Sequence, residues 1–176
     1  GHGITDVDTA QLMPFSNGSI LPSTVKAVKK GESGIAGELR GDFDLTGDLG
    51  DLYANTANGI FGTLDAASYA PVQAEAVPVG EAQPGPAVIR TNIRGDEVEE
   101  FEIQIEKIVS GATDGRDLVI SVTDPELVAV TGGIVQGMSG SPILQNGKLV
   151  GAVTHVLLNN PIRGYGILIK NMLDAG

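Results

Sequence analysis

Cysteine is absent from the 176 residues, and so is tryptophan. Without cysteine there is no disulfide, no thiolate metal site and no cysteine nucleophile. That leaves the compartment open, because a cysteine-free chain suits the cytosol and an exported setting alike. Histidine is almost as scarce, with only His2 and His155. A catalytic zinc would then have little but carboxylates to complete its shell, which disfavours a metal hydrolase. Four Phe and three Tyr are too few to build an aromatic core, so Val, Ile, Leu and Ala must fill it. Positive charge is short as well: 11 Lys and Arg face 22 Asp and Glu, for a net charge of −11. Nucleic acid and anionic lipid both call for a basic face, so neither is an expected partner. No stretch reaches the roughly 18 consecutive apolar residues of a membrane-spanning helix.

What is present reads as β structure. Apolar residues make up 41% and charged residues 19%, the balance of a globular rather than a disordered chain. The length suits one domain or two small barrels sharing an interface. With 25 Gly and nine Pro among many β-branched residues, short strands joined by turns are expected. Strands are read at 23–30, 59–64, 87–93, 100–106, 118–122 and 164–169. In 100–106, Phe101, Ile103 and Ile105 alternate with polar neighbours, the period of a strand with one wet face. Asn146-Gly147 between two apolar runs predicts a tight hairpin, since both residues tolerate positive φ. Pro125 ends the 118–122 strand, and 169–174 fits a short terminal helix. Residues 31–50 read as an acidic loop. Its segment from Asp42 to Asp48 resembles the start of a calcium loop, but Tyr53 stands where the bidentate Glu is needed. The Ala- and Pro-rich stretch 66–86 reads as a connection between two halves, with an edge strand as an option from Val72 to Val79.

One loop carries chemistry. In Gly137-Met138-Ser139-Gly140-Ser141-Pro142, a serine sits between glycines at the entrance to the hairpin. A hydroxyl becomes a useful nucleophile only when a base takes its proton. It also needs N–H groups facing the oxyanion, and a glycine two residues before the serine lets Gly137 and Ser139 supply them. The pattern resembles the Gly-x-Ser-Gly-x-Pro of trypsin-like peptidases, with Met138 in place of Asp and Ser141 in place of Gly. The elbow of α/β-hydrolase esterases is not matched, because position 141 is not glycine. His2, flanked by two glycines, is the candidate base. The chain opens at Gly1-His2-Gly3 with no lead-in, which reads as a piece of a longer protein cut or processed upstream.

Several segments together resemble the SpoIVB-type peptidases of spore-forming bacteria: Gly1 to Thr9, Ser23 to Gly31, Gly59 to Gly62 and, most specifically, Gly132 to Val156. The resemblance implies an all-β, trypsin-like double β-barrel with a short C-terminal helix. About 1–80 would be a first barrel, incomplete at its N-terminus, and about 81–176 a second barrel carrying the nucleophile. It implies a serine endopeptidase that cleaves a regulatory protein substrate, and itself, in the signalling that activates an intramembrane protease and a late sigma factor. It further implies a place outside the cytoplasm, between the two membranes around the forespore, with a PDZ domain and a membrane anchor upstream. No cofactor or metal is implied.

By the same resemblance Ser139 is the nucleophile, His2 the general base and Asp124, 15 residues before the serine, the acid. Trypsin-like barrels take histidine and acid from the first barrel, and Asp51, 49 residues after His2, has that spacing. A histidine working without a carboxylate is the third reading. The corresponding trypsin-like pocket would be bordered by Thr154, His155 and Val156, with Gly133 near its base; the lack of charge there argues against selection of a basic side chain. The rival from another class is a catalytically silent binding module on the same scaffold, and its signature would be a Ser139→Ala variant that keeps its biological effect.

Overall fold

The computed structural model describes residues 1–6, 8–69, 76–109, 111–112 and 114–176. Eleven strands and three short helices order the chain among them. The second half closes on itself. Strands β6 (Gly85–Thr91), β7 (Glu99–Ile108), β8 (Leu118–Val122), β9 (Pro142–Gln145), β10 (Lys148–Val156) and β11 (Arg163–Leu168) form a barrel in the order β10-β11-β8-β7-β6-β9. Alternation explains it: Phe101, Ile103 and Ile105 of β7 turn inward beside Ile89, Leu118, Ile120, Ile143, Val150 and Val153, all at most 2% exposed. Each such side chain contributes about 1.5–3 kcal/mol of hydrophobic burial. Asn146 and Gly147, at φ of 53° and 73°, make the predicted turn between β9 and β10.

The first half consists of two open sheets. One has the order β1-β4-β5, from Ser19–Ile20, Gly50–Thr56 and Gly59–Leu64; the other pairs β2 (Ser23–Lys29) with β3 (Glu38–Phe43). Here the reading of 31–50 as loop is corrected. It contains β3, whose polar sequence gives no alternating signal, and β4 begins at its end, carrying Asp51 on a strand rather than a loop. Within the acidic turn, Asp44 accepts hydrogen bonds from the backbone and hydroxyl of Thr46.

Helix α1 (Ala66–Tyr69) opens the connection, and residues 72–75 of the optional edge strand lie outside the described residues. Val79, at its far end, makes one parallel bridge to Leu149 of β10. Helix α2 (Pro125–Thr131) extends a segment read only as a strand end, and α3 (Ile169–Leu173) matches the expected terminal helix. Among the described residues no helix is long and apolar enough to cross a membrane.

The halves meet at the loop after α2. Gly31 N–H donates to Thr131 O at 2.8 Å, Gln136 N–H to Gly37 O at 3.0 Å and Leu39 N–H to Gln136 O at 2.8 Å. The start of β3 therefore grips the approach to Ser139.

Candidate active site

Ser139 is placed by the residue before it. Met138 points into the barrel core with no exposed surface. Its N–H donates to Val135 O at 3.2 Å and its carbonyl accepts from Ser141 N–H at 3.0 Å. Gly140 N–H donates to Val153 O at 2.8 Å, which ties the loop to β10. Gly137 and Gly140 have φ of 98° and 89°, a region that residues with a Cβ avoid. Of the N–H groups from Gln136 to Ser141, four are engaged. The two that donate to no protein group among the described residues are Gly137 and Ser139, the pair expected to face an oxyanion.

His2 reaches the same point from the start of the chain. Gly1 lies against β10, where a Cβ would be 2.9 Å from Val153 O, and Gly3 threads past Thr56, where a Cβ would be 2.3 Å from the carbonyl. Asn55 of β4 fixes the following residue from both sides: Ile4 N–H donates to its Oδ1 at 2.8 Å, and its amide donates to Ile4 O at 3.0 Å. Sequence reasoning missed Asn55, because a lone Asn in a strand of polar residues carries no signal.

The result is a direct contact, His2 Nε2 to Ser139 Oγ at 2.8 Å. The other ring nitrogen, Nδ1, lies 2.8 Å from Gly3 O. A carbonyl oxygen only accepts, so Nδ1 must hold a proton. In neutral His2 that leaves Nε2 as an acceptor, and the Ser139 hydroxyl donates to it. Thr154 O, 3.0 Å from Oγ, is the second acceptor open to the hydroxyl. When His2 is charged, Nε2–H donates to Oγ and the serine proton turns to Thr154 O. The geometry thus holds a hydroxyl ready to lose its proton only while the imidazole is neutral.

Neither candidate acid touches this histidine. Asp124 is the N-cap of α2: its Oδ1 accepts from Glu126 N–H at 2.9 Å and Leu127 N–H at 3.0 Å. Asp-Pro-Glu is a legible helix start, with the cap, a proline in the first turn and an acid beside the positive end of the dipole. Asp51 is exposed on β4, opposite Ser19 and Thr63, four residues from Asn55. Gly3 O occupies the place on Nδ1 that a carboxylate takes in a triad.

The residues expected around a pocket are divided. Thr154 is buried and spends its hydroxyl on Gly115 O at 2.8 Å, so it offers the site its carbonyl rather than its side chain. Val156 packs on the barrel core. Gly133 is backed onto the 159–161 turn, where a Cβ would be 2.2 Å from Pro161 O, so protein fills that space. His155 stands against His2, with ring centroids 4.9 Å apart and 29° between planes. A cleft of about 950 Å³ opens beside the loop, walled by Gly137, Ser141 and Pro142 and by β2 and β3.

Burial, and then the charges of His2 and Arg116, push the His155 imidazole down from its ordinary 6.5 to about 4, against the pull of Asp114. Its Nδ1 is buried and has no hydrogen-bond partner among the described residues. Between about pH 6.5 and 4 the unfolded chain therefore binds the proton more readily than the folded one. His155 lowers stability progressively as pH falls through that window. A His155→Phe variant, which keeps a flat ring on His2, is expected to lose less melting temperature than the wild type between pH 7 and 4.5. Parallel losses in calorimetry would contradict this.

The sequence model of one family, described as SpoIVB peptidase S55, matches residues 1–173. No curated protein and no solved structure matches the chain.

Proposed function

We propose, from the premise that this chain belongs to the SpoIVB family of serine peptidases, that it is a serine endopeptidase working through a Ser139–His2 dyad. The contact of His2 Nε2 with Ser139 Oγ, with Nδ1 held by Gly3 O, is the observation that carries the reading. His2 takes the serine proton as Oγ attacks the peptide carbonyl. The free N–H groups of Gly137 and Ser139 receive the developing oxyanion. The imidazolium then returns its proton to the leaving amine, and a water molecule, activated by the same imidazole, releases the acyl group. The substrate is a regulatory protein, and the chain also processes itself, in the signalling that frees an intramembrane protease and a late sigma factor during sporulation. Family membership supports that role, along with a setting between the two forespore membranes and an upstream PDZ domain and anchor in the full-length protein.

Labelling with a fluorophosphonate, followed by peptide mapping, tests the reading. Modification of Ser139 is expected, and it should vanish in His2→Ala. A folded protein that takes no label would instead be a silent binding module.

Asp124 supports this chemistry by starting α2, whose far end feeds the serine loop. Asn caps a helix as well as Asp does. Asp124→Asn is therefore expected to keep peptide turnover within a few-fold, while Asp124→Ala loses about 1 kcal/mol of stability. A carboxylate serving His2 in a triad would instead cost about 10⁴ in kcat on conversion to Asn. Turnover of the Asn variant decides between the two.

A further inference from the structure

The cleft beside Ser139 has a main-chain wall as well as a side-chain one. Leu39 N–H points away from β2, to Gln136 O at 2.8 Å. Successive residues of a strand face opposite edges, so Gly41 and Phe43 turn their N–H and C=O groups to the same side as Leu39. Among the described residues β3 pairs with no strand on that side, and its contact there ends with the Glu38–Gln136 bridge. Leu39, Gly41 and Phe43 all line the cleft. A free edge of this kind is a template for a further strand.

The side chains there are apolar and open. Phe43 is 67% exposed and Val98, which also lines the cleft, 64% exposed. Arg90 and Glu100 also line the cleft, but they pair with each other at 2.7 Å and present little net charge. Gly137 belongs both to this wall and to the pair of free N–H groups beside Ser139. A polypeptide whose carbonyl rests at Ser139 Oγ and oxygen at Gly137 N–H is thus at the mouth of the cleft, and its flanking residues have this groove to run into.

We infer that the cleft binds the extended segment of the substrate flanking the scissile bond as an added strand on β3, with apolar side chains seated on Phe43, Val98 and Leu39. The inference rests on the peptidase reading above and gives that site its substrate class. Substrates are unfolded or loop segments carrying apolar residues beside the cut, and a carboxylate at those positions is rejected because the groove offers it no unpaired cation.

The test uses a library of internally quenched decapeptides in which each position flanking the bond is either Leu or Asp. The same small fluorophosphonate, too short to enter the groove, serves as the control. The protein is compared with a Phe43→Ser/Val98→Ser double variant, both positions being exposed and outside the core. In the wild type, Leu is expected over Asp by roughly tenfold or more in kcat/KM at one or two flanking positions. The double variant should lose that preference, mainly through KM, while its fluorophosphonate labelling rate stays within twofold. Normal labelling of Ser139 with no flanking preference, or with a preference untouched by the double variant, overturns the groove and leaves the peptidase reading standing. Failure of the wild type to label overturns both.

Discussion

Ser139→Ala is expected to lower peptide turnover by about 10⁶ in kcat, and His2→Ala by nearly as much, with the double variant no worse than either alone. The reason lies in the division of work at one hydrogen bond. Without His2 the hydroxyl of Ser139 can still donate to Thr154 O, where it is held as an alcohol and not as an incipient alkoxide. Without Ser139 the imidazole has no proton to take. The Gly137 and Ser139 N–H groups survive both changes, so residual activity above the uncatalysed rate should remain, on the order of 10³–10⁴. Single-turnover assays of the three variants, with folding checked by circular dichroism, read this directly. A His2→Ala enzyme within tenfold of wild type would remove the imidazole from the mechanism. Because Nδ1 is held by a neutral carbonyl rather than a carboxylate, the correct tautomer is retained while the charge that steadies an imidazolium is not.

Met138 governs the second large effect. It is buried without exposed surface, directly before Ser139, and bonded on both sides through its own backbone. Met138→Ala is expected to cost about 2–5 kcal/mol through the cavity it leaves, a large share of the roughly 5–15 kcal/mol that holds a domain folded. Met138→Leu, close in volume, should cost less than about 1.5 kcal/mol. The informative substitution is Met138→Asp, which installs the residue of the trypsin-like pattern at this position. In this core the carboxylate would lie within the apolar cluster to which Met138 belongs, among residues such as Val135 and Ile143. A buried charge without a partner makes it the worst of the three. Urea denaturation midpoints rank them, and an Asp variant as stable as the Leu variant would show that the side chain has a polar partner or a way out.

The strands that the sequence made legible are those buried on one face or both. Phe101, Ile103 and Ile105 announce β7 because a half-buried strand must alternate, and Asn146-Gly147 announces the hairpin because few residues accept positive φ. β3 and β4 were not legible. They bury little, so Glu38–Phe43 and Gly50–Thr56 keep the polar composition of a loop and are strands by virtue of their neighbours. Helix α2 is legible in Asp124-Pro125-Glu126, where the proline that ends one strand also begins a helix.

By itself the amino-acid sequence determined the serine, its turn and the character of the barrel core. All three depend on residues adjacent in the chain: glycines that permit the turn and an apolar rhythm that selects the inward face. Only the tertiary structure decided who holds the histidine. His2 and Ser139 are 137 residues apart, and the partner on Nδ1 is a backbone carbonyl, a group that every residue carries and no motif marks. The family resemblance assigns Asp124 to that place and a spacing argument assigns Asp51, but packing put Asp124 at a helix end and Asp51 on an exposed strand.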